Sequence, residues 1–136
     1  MPSITAAELF SSDGTVPSDV LLVDVRSAEE QNVSRIPGAL ADVCFLDQLS
    51  QSQSLDQRLR IVIYCTAGVR SLWFCLAHRA RCGPLVNLVD GIVGFCNLEC
   101  HPSLETLDGR LTRSVHTFSP FWNAIEPDAS YNIVTR

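Results

Sequence analysis

A cysteine stands where an apolar run meets a short connection: Ile61-Val62-Ile63-Tyr64-Cys65-Thr66-Ala67-Gly68-Val69-Arg70-Ser71-Leu72. The branched residues before it predict a buried strand, and the pattern from Arg70 onward predicts a helix. A thiol between the two faces the helix's unpaired N–H groups and the positive end of its dipole. Such surroundings stabilise the thiolate, lower its pKa and raise its reactivity at neutral pH. Gly68 lets the backbone turn back toward the sulfur without a side-chain clash. Arg70 adds a permanent positive charge at the rim, suited to an anionic substrate. The loop reads as a ring of donors around one sulfur atom. A lone cysteine at a strand end is more often a small buried hydrophobe, so the glycine, the arginine and the helix are what mark Cys65 as a candidate nucleophile.

Other chemistries are excluded or left weak. All ten basic residues are arginines, which removes Schiff-base catalysis, a pyridoxal-phosphate lysine and a P-loop lysine. The net charge of -5, with arginines scattered along the chain, argues against sequence-independent binding of nucleic acid. Cys96-Asn97-Leu98-Glu99-Cys100-His101 places three potential ligands close together, yet no C-x-x-C pair accompanies them and a structural zinc site needs four ligands. No metal site is expected. Cys75 and Cys82 fall near one face of the predicted helix, and His78 and His101 read as structural rather than as general bases.

The positioning elements follow from periodicity. Thr5-Ala6-Ala7-Glu8 is a capping box opening a helix to about Phe10, which Ser11-Ser12-Asp13-Gly14 ends. Leu21-Leu22-Val23-Asp24-Val25, Ile61-Val62-Ile63-Tyr64 and Leu85-Val86-Asn87-Leu88-Val89 read as buried strands of a parallel sheet. Residues 70–81 are helical in pattern, with Leu72, Leu76 and Phe74 expected inward and Gly83-Pro84 as the stop. Strands alternating with helices predict an α/β domain. Beyond Pro102 periodicity fades, although Phe118, Phe121, Trp122 and Tyr131 remain to be buried. The expected division is a domain over residues 1–105 and a C-terminal extension over 106–136, packed back on it. A partner-docking arm or a substrate lid is the alternative for that extension.

With 136 residues, 46% of them apolar and 18% charged, the chain can build one core without disulfide staples. The first residues carry neither a basic nor an apolar leader, and no apolar run approaches a membrane span. The six cysteines are expected to be mostly reduced and the protein cytoplasmic.

Three motifs come in order: Asp24-Val25-Arg26-Ser27-Ala28-Glu29-Glu30 with Ile36-Pro37-Gly38-Ala39, then Tyr64-Cys65-Thr66-Ala67-Gly68-Val69-Arg70-Ser71, then Val86-Asn87-Leu88-Val89-Asp90-Gly91-Ile92. Together, over roughly Ile4 to Pro102, they resemble the single-domain rhodanese-like sulfurtransferase family. The resemblance implies a rhodanese-like α/β fold, with a central parallel β-sheet flanked by helices. It implies a persulfide on Cys65, the catalytic residue, and a substrate-binding cradle of backbone amides from Thr66, Ala67, Gly68, Val69 and Arg70. Asp24 and Arg26 match a D-x-R segment that supports the active loop. The family pattern is departed from at three places: Ser34-Arg35 replace Gly-His, Asp90 replaces the first of a glycine pair, and Phe95 replaces a tryptophan.

Four residues separate Cys65 from Arg70. The related arsenate reductases and cell-cycle phosphatases have one more, giving a wider ring for a tetrahedral oxyanion, and the position where their arginine would fall is Ser71. The loop also offers no general acid for an ester leaving group. Sulfur transfer needs only thiolate attack on a sulfane donor and attack by an acceptor on the persulfide. In the family it resembles, thiosulfate-type loops tend to carry basic residues beside the cysteine and mercaptopyruvate-type loops small ones. With small Thr66 and Ala67 but a charge restored by Arg70, the loop matches neither pattern fully and leans only slightly toward thiosulfate. The implied partners are a small-molecule sulfur donor such as thiosulfate and a protein sulfur acceptor; no cofactor, nucleic acid or membrane is expected. A rhodanese-like regulatory or partner-binding module stands as the second reading, and an arsenate reductase or phosphatase as the third.

Overall fold

The computed structural model describes residues 2–50, 59–82, 84–117 and 131–134. The main sheet has five parallel strands in the order β1-β5-β4-β2-β3, with β1 Ser3–Ile4, β2 Val20–Asp24, β3 Leu40–Ala41, β4 Arg60–Tyr64 and β5 Leu85–Leu88. Register is fixed along the centre, where Val20 to Asp24 pair with Arg60 to Tyr64. An all-parallel sheet must be covered on both faces, which is why its central strands read as continuous apolar runs. Successive residues take opposite sides: Val62 and Tyr64 join one core with Leu22 and Leu88, while Ile61 and Ile63 join the other with Val23 and Leu85.

Helices α1 (Ala6–Leu9) and α5 (Gly91–Cys96) cover the first side, and α3 (Asp42–Ser50) and α4 (Val69–Cys82) the second. The Thr5/Glu8 capping box is formed as expected, and a second box, Ser27 with Glu30, opens α2 (Ala28–Val33). The three anticipated strands and the long helix are present within one residue of their expected ends. Val89, placed in the third strand by its sequence, lies beyond β5 and is 40% exposed.

One orientation differs from expectation. Phe74 packs on the second core as expected, but Leu76 is exposed and Leu72 only half-buried; the face of α4 turned to the sheet carries Ser71 and Cys75. Small side chains let the helix lie close against β4 and β5, so the larger residues at 72, 73 and 76 are rotated outward. The Gly83 stop lies outside the described residues.

The region past Pro102 contains short strands that its sequence does not announce. β6 (Leu104–Glu105) and β7 (Leu111–Thr112) form a hairpin, and β8 (Ser114–His116) pairs in parallel with β9 (Asn132–Val134). Val115 is fully buried in the same core as Leu22 and Phe95, and α2 packs on β8. Tyr131 packs on that core as well, its hydroxyl donating to the Pro102 carbonyl and the Arg113 guanidinium stacked 4.1 Å over its ring. Phe118, Phe121 and Trp122 lie outside the described residues. Among the described residues no helix is long and apolar enough to cross a membrane.

The three departures from the family pattern each make a specific contact. Arg35 bridges to Glu105 through paired backbone bonds of 2.9 Å and a side-chain ion pair. Asp90 Oδ1 accepts the Ala6 N–H at 2.9 Å and so ties α1 to α5. Its carboxyl fills the space a side chain at Gly94 would need, since a Cβ there would lie 2.2 Å from Asp90 Cγ. Phe95 packs edge-on against Phe10 with ring centroids 4.8 Å apart.

Candidate active site

Parallel pairing brings the carboxyl ends of β2, β4 and β5 to one edge, where ligands of open α/β sheets bind. Cys65 follows β4 there, and Gly68 leads into α4. Gly68 has φ +94°, and a Cβ on it would lie 2.2 Å from the Val89 carbonyl oxygen. Gly91 has φ +57°, and a Cβ there would meet the Thr66 and Cys65 carbonyl oxygens at 2.3 and 2.4 Å. Only glycine satisfies both demands at either position. The close approach allows Ile92 N–H to bond the Cys65 carbonyl at 2.9 Å and Val93 N–H to bond that of Thr66 at 3.2 Å. With its carbonyls held outward by the start of α5, the loop keeps its amides for the sulfur.

The Cys65 side chain is buried at the base of this ring. Its Sγ accepts the Gly68 N–H at 3.1 Å and lies 3.4 Å from the Ser71 hydroxyl. Burial pushes the thiol pKa up. The Ser71 hydroxyl and the backbone N–H groups of Ser71, Ala67 and Gly68 outweigh it, and the net shift is downward. The other perturbed thiols go the opposite way: burial raises Cys82 and takes Cys75 to about 11 and Cys96 to about 12. Cys65 alone of these four combines reactive position with thiolate stabilisation.

Ser71 and Asn87 are site residues that the sequence reading did not single out for this role. Ser71 Oγ donates to Asn87 Oδ1 at 2.5 Å, and Asn87 Nδ2 donates to the Gly68 carbonyl at 3.1 Å. Both are buried, Asn87 projecting from β5. The asparagine thus anchors the loop backbone and the hydroxyl at once.

Glu30 is the other unforeseen member. Arg70, expected as the permanent positive charge at the rim, stands there and is met end-on by this carboxylate, with Nη1 to Oε1 at 2.7 Å and Nη2 to Oε2 at 2.9 Å. Thr66 Oγ1 accepts from Arg70 Nη2 and donates to Glu30 Oε2. Glu30 also closes the Ser27 capping box, so its position is set from two elements. Burial favours its neutral form, but Arg70 and Ser27 outweigh that and hold its carboxyl at about 2. Its place three residues after a capping serine is a readable signal, though one for helix opening rather than for the site.

Behind the loop, Asp24 and Arg26 form a buried ion pair at 2.7 Å. Arg26 also donates to the carbonyls of Ser34 at 2.6 Å and His116 at 3.3 Å. The Tyr64 hydroxyl donates to Asp24 Oδ2 at 2.8 Å and accepts the Ile36 N–H at 3.1 Å. Every charge in this group is matched by a partner, as buried charges require. The six cysteines are free. Cys96 is buried, Cys100 exposed, and His101 Nδ1 faces the Cys96 carbonyl at 3.0 Å; among the described residues no three His, Cys, Asp or Glu side chains gather as a metal site. His78 packs on Phe74.

The family profile described as "Rhodanese-like domain" matches residues 6–98. Among solved structures, a rhodanese-like domain protein from Staphylococcus aureus is 28% identical with a TM-score of 0.58, covering 78% of this chain and 98% of that one. A protein from Staphylococcus saprophyticus subsp. saprophyticus is 29% identical with a TM-score of 0.55, covering 70% and 93%. A Bacillus halodurans protein at 23% identity and a TM-score of 0.51, covering 68% and 67%, shares the fold. No curated protein matches the chain.

Proposed function

The chain belongs to the rhodanese-like domain family, and from that membership we propose that it is a sulfurtransferase carrying a sulfane sulfur as a persulfide on Cys65. The Cys65 thiolate attacks the outer sulfur of a donor such as thiosulfate. The donor's S–S bond breaks, its remainder leaves with the bonding pair (sulfite, for thiosulfate), and the new Sγ–S bond holds the transferred atom. A thiophilic acceptor, cyanide in an assay or a protein thiolate, then attacks that terminal sulfur and returns the Cys65 thiolate. The amides of Ala67, Gly68 and Ser71 stabilise the Cys65 thiolate that attacks the donor and is returned at the end of the cycle.

The observation that carries this reading is the Gly68 N–H on Sγ at 3.1 Å within a ring whose carbonyls are held away. The shorter spacing to Arg70 also favours a sulfur atom over a tetrahedral oxyanion. The test is an intact mass of reduced protein after incubation with a sulfane donor. One added sulfur atom, removed by cyanide and absent from Cys65→Ser, is the expected result. A folded protein that gains no sulfur from any donor overturns the reading.

A partner-binding role draws support from Val69 and Trp73, 50% and 67% exposed and one helical turn apart beside the loop. On that reading Trp73→Gln forms the persulfide normally but no longer passes sulfur to, or binds, its protein partner.

A further inference from the structure

The cation of the reactive loop is already neutralised. Glu30 accepts from Ser27 N–H, Ser27 Oγ and Arg70 Nη1 on one oxygen, and from Arg70 Nη2 and Thr66 Oγ1 on the other. Its side chain is 1% exposed, so this carboxylate has no solvent to swing into, whereas the Arg70 side chain keeps 33% exposure at the loop mouth. An arginine bound end-on by a fixed carboxylate contributes a pair of net charge zero. Among the described residues of the loop, what remains for an incoming donor is the set of neutral N–H dipoles around Sγ.

Resting on the sulfurtransferase reading above, we propose that Glu30 is a specificity-determining residue, which discharges Arg70 and selects persulfide donors over the thiosulfate dianion. Thiosulfate brings two negative charges, one of them on the sulfonate that must depart as sulfite. A persulfide brings a single charge on the sulfur to be transferred, which the amides of the ring can match. In cysteine persulfide the remaining carboxylate and ammonium cancel. The transfer step balances without an added redox partner. The Cys65 thiolate bonds to the terminal sulfur of R–S–S⁻, the donor S–S bond breaks, R–S⁻ leaves with the pair and takes a proton from water as R–SH, and Cys65 is left as Sγ–S⁻.

The experiment uses the full chain, with cysteine persulfide and thiosulfate as the two donors and loading of Cys65 read by intact mass and by kcat/KM. Glu30→Gln removes the charge while retaining a side chain that closes a capping box. The wild type is expected to load from cysteine persulfide at least about tenfold more efficiently than from thiosulfate. In Glu30→Gln the thiosulfate-to-persulfide ratio of kcat/KM rises about three- to tenfold, mostly through a lower thiosulfate KM, and this gain shrinks as salt screens the exposed charge. Adding Arg70→Met to Glu30→Gln returns the ratio, a response that a purely structural role for Glu30 would not give.

Equal use of the two donors by the wild type, or an unmoved ratio in Glu30→Gln, overturns the selectivity and leaves sulfur transfer standing. No sulfur from either donor overturns sulfur transfer and the selectivity with it. If Glu30→Gln does not fold, the wild type decides: a thiosulfate KM that stays level or falls between about 20 mM and about 500 mM salt supports a discharged rim. A KM that climbs steeply over that range overturns it.

Discussion

The Ser71 hydroxyl lies 2.5 Å from Asn87 Oδ1 and 3.4 Å from the sulfur of Cys65. It has one proton for these two neighbours. With Cys65 as a thiol, the S–H can donate to Ser71 and Ser71 to Asn87. With Cys65 as a thiolate, the hydroxyl turns to the sulfur. The pair therefore couples the charge on Cys65 to one hydroxyl rotation.

Ser71→Ala should raise the Cys65 pKa, because the hydroxyl donates to the thiolate and stabilises it more than it does the thiol, whose S–H is a weak donor. Hydrogen bonds to charged groups are worth about 1.5–3 kcal/mol, and one pKa unit is about 1.4 kcal/mol, so a shift of roughly one unit is expected. The pH midpoint for alkylation of Cys65 by iodoacetamide measures it. A midpoint that stays in place would remove Ser71 from the site.

Gly91→Ala places a methyl group 2.3 Å from the Thr66 carbonyl oxygen at a backbone angle of φ +57°. Neither the backbone oxygen nor the helix start can give way cheaply. We expect a loss of about 3 kcal/mol, seen as a Tm lower by roughly 10 °C, together with slower sulfur loading of Cys65. The equivalent change at Gly38, where a Cβ would meet nothing within 4 Å, bears only the strain of its φ of +83° and should spare loading.

Glu30 makes stability depend on acid. Its carboxyl is held at about 2 against an ordinary value of 4.5. A depressed folded-state value means the stabilisation is fully present above about pH 4.5 and is lost as the pH falls toward about 2. Its size is of order 3 kcal/mol. Urea unfolding of wild type and Glu30→Gln should give curves that differ at pH 6 and converge at pH 2. A constant difference across that range would contradict the assignment.

Arg26→Met leaves Asp24 as a buried carboxylate without its cation, which costs about 3–5 kcal/mol. Tyr64→Phe removes one hydroxyl bonded to Asp24 and Ile36 and should cost about 1–2 kcal/mol. Equilibrium unfolding in urea ranks the two, and the arginine change is expected to be the larger.

The parts of the fold that could be read from the chain are those whose information is local. Branched runs at 61–64 and 85–88 declare buried parallel strands, and the Thr5/Glu8 box closes within one turn. The Cys65 loop is equally local, since strand, glycine and helix succeed one another directly. Glu30, Ser71 and Asn87 were hidden for the opposite reason. Glu30 reaches Arg70 across 40 residues of sequence, and Asn87 reaches Ser71 across 16. The phase of α4 is not legible in its apolar pattern, because the helix turns small Ser71 and Cys75 inward, leaving Trp73 and Leu76 outside. β8 and β9 are three residues each and pair with one another, too short for any period to show.

Burial of Val115 and the grip of Arg26 on the His116 carbonyl have a practical reach. The family profile ends at residue 98, yet the hydrophobic interior runs on through Leu104, Val115 and Ile133. The unit recognisable by ancestry is thus smaller than the unit that folds. A fragment trimmed to the recognisable boundary would lay open the apolar core that Leu104, Val115 and Ile133 complete and leave a buried guanidinium short of an acceptor. Expression boundaries, fusion points and any transplant of this reactive loop into another protein should be drawn from the packed interior, which keeps the strands after residue 98 with the loop they help to hold.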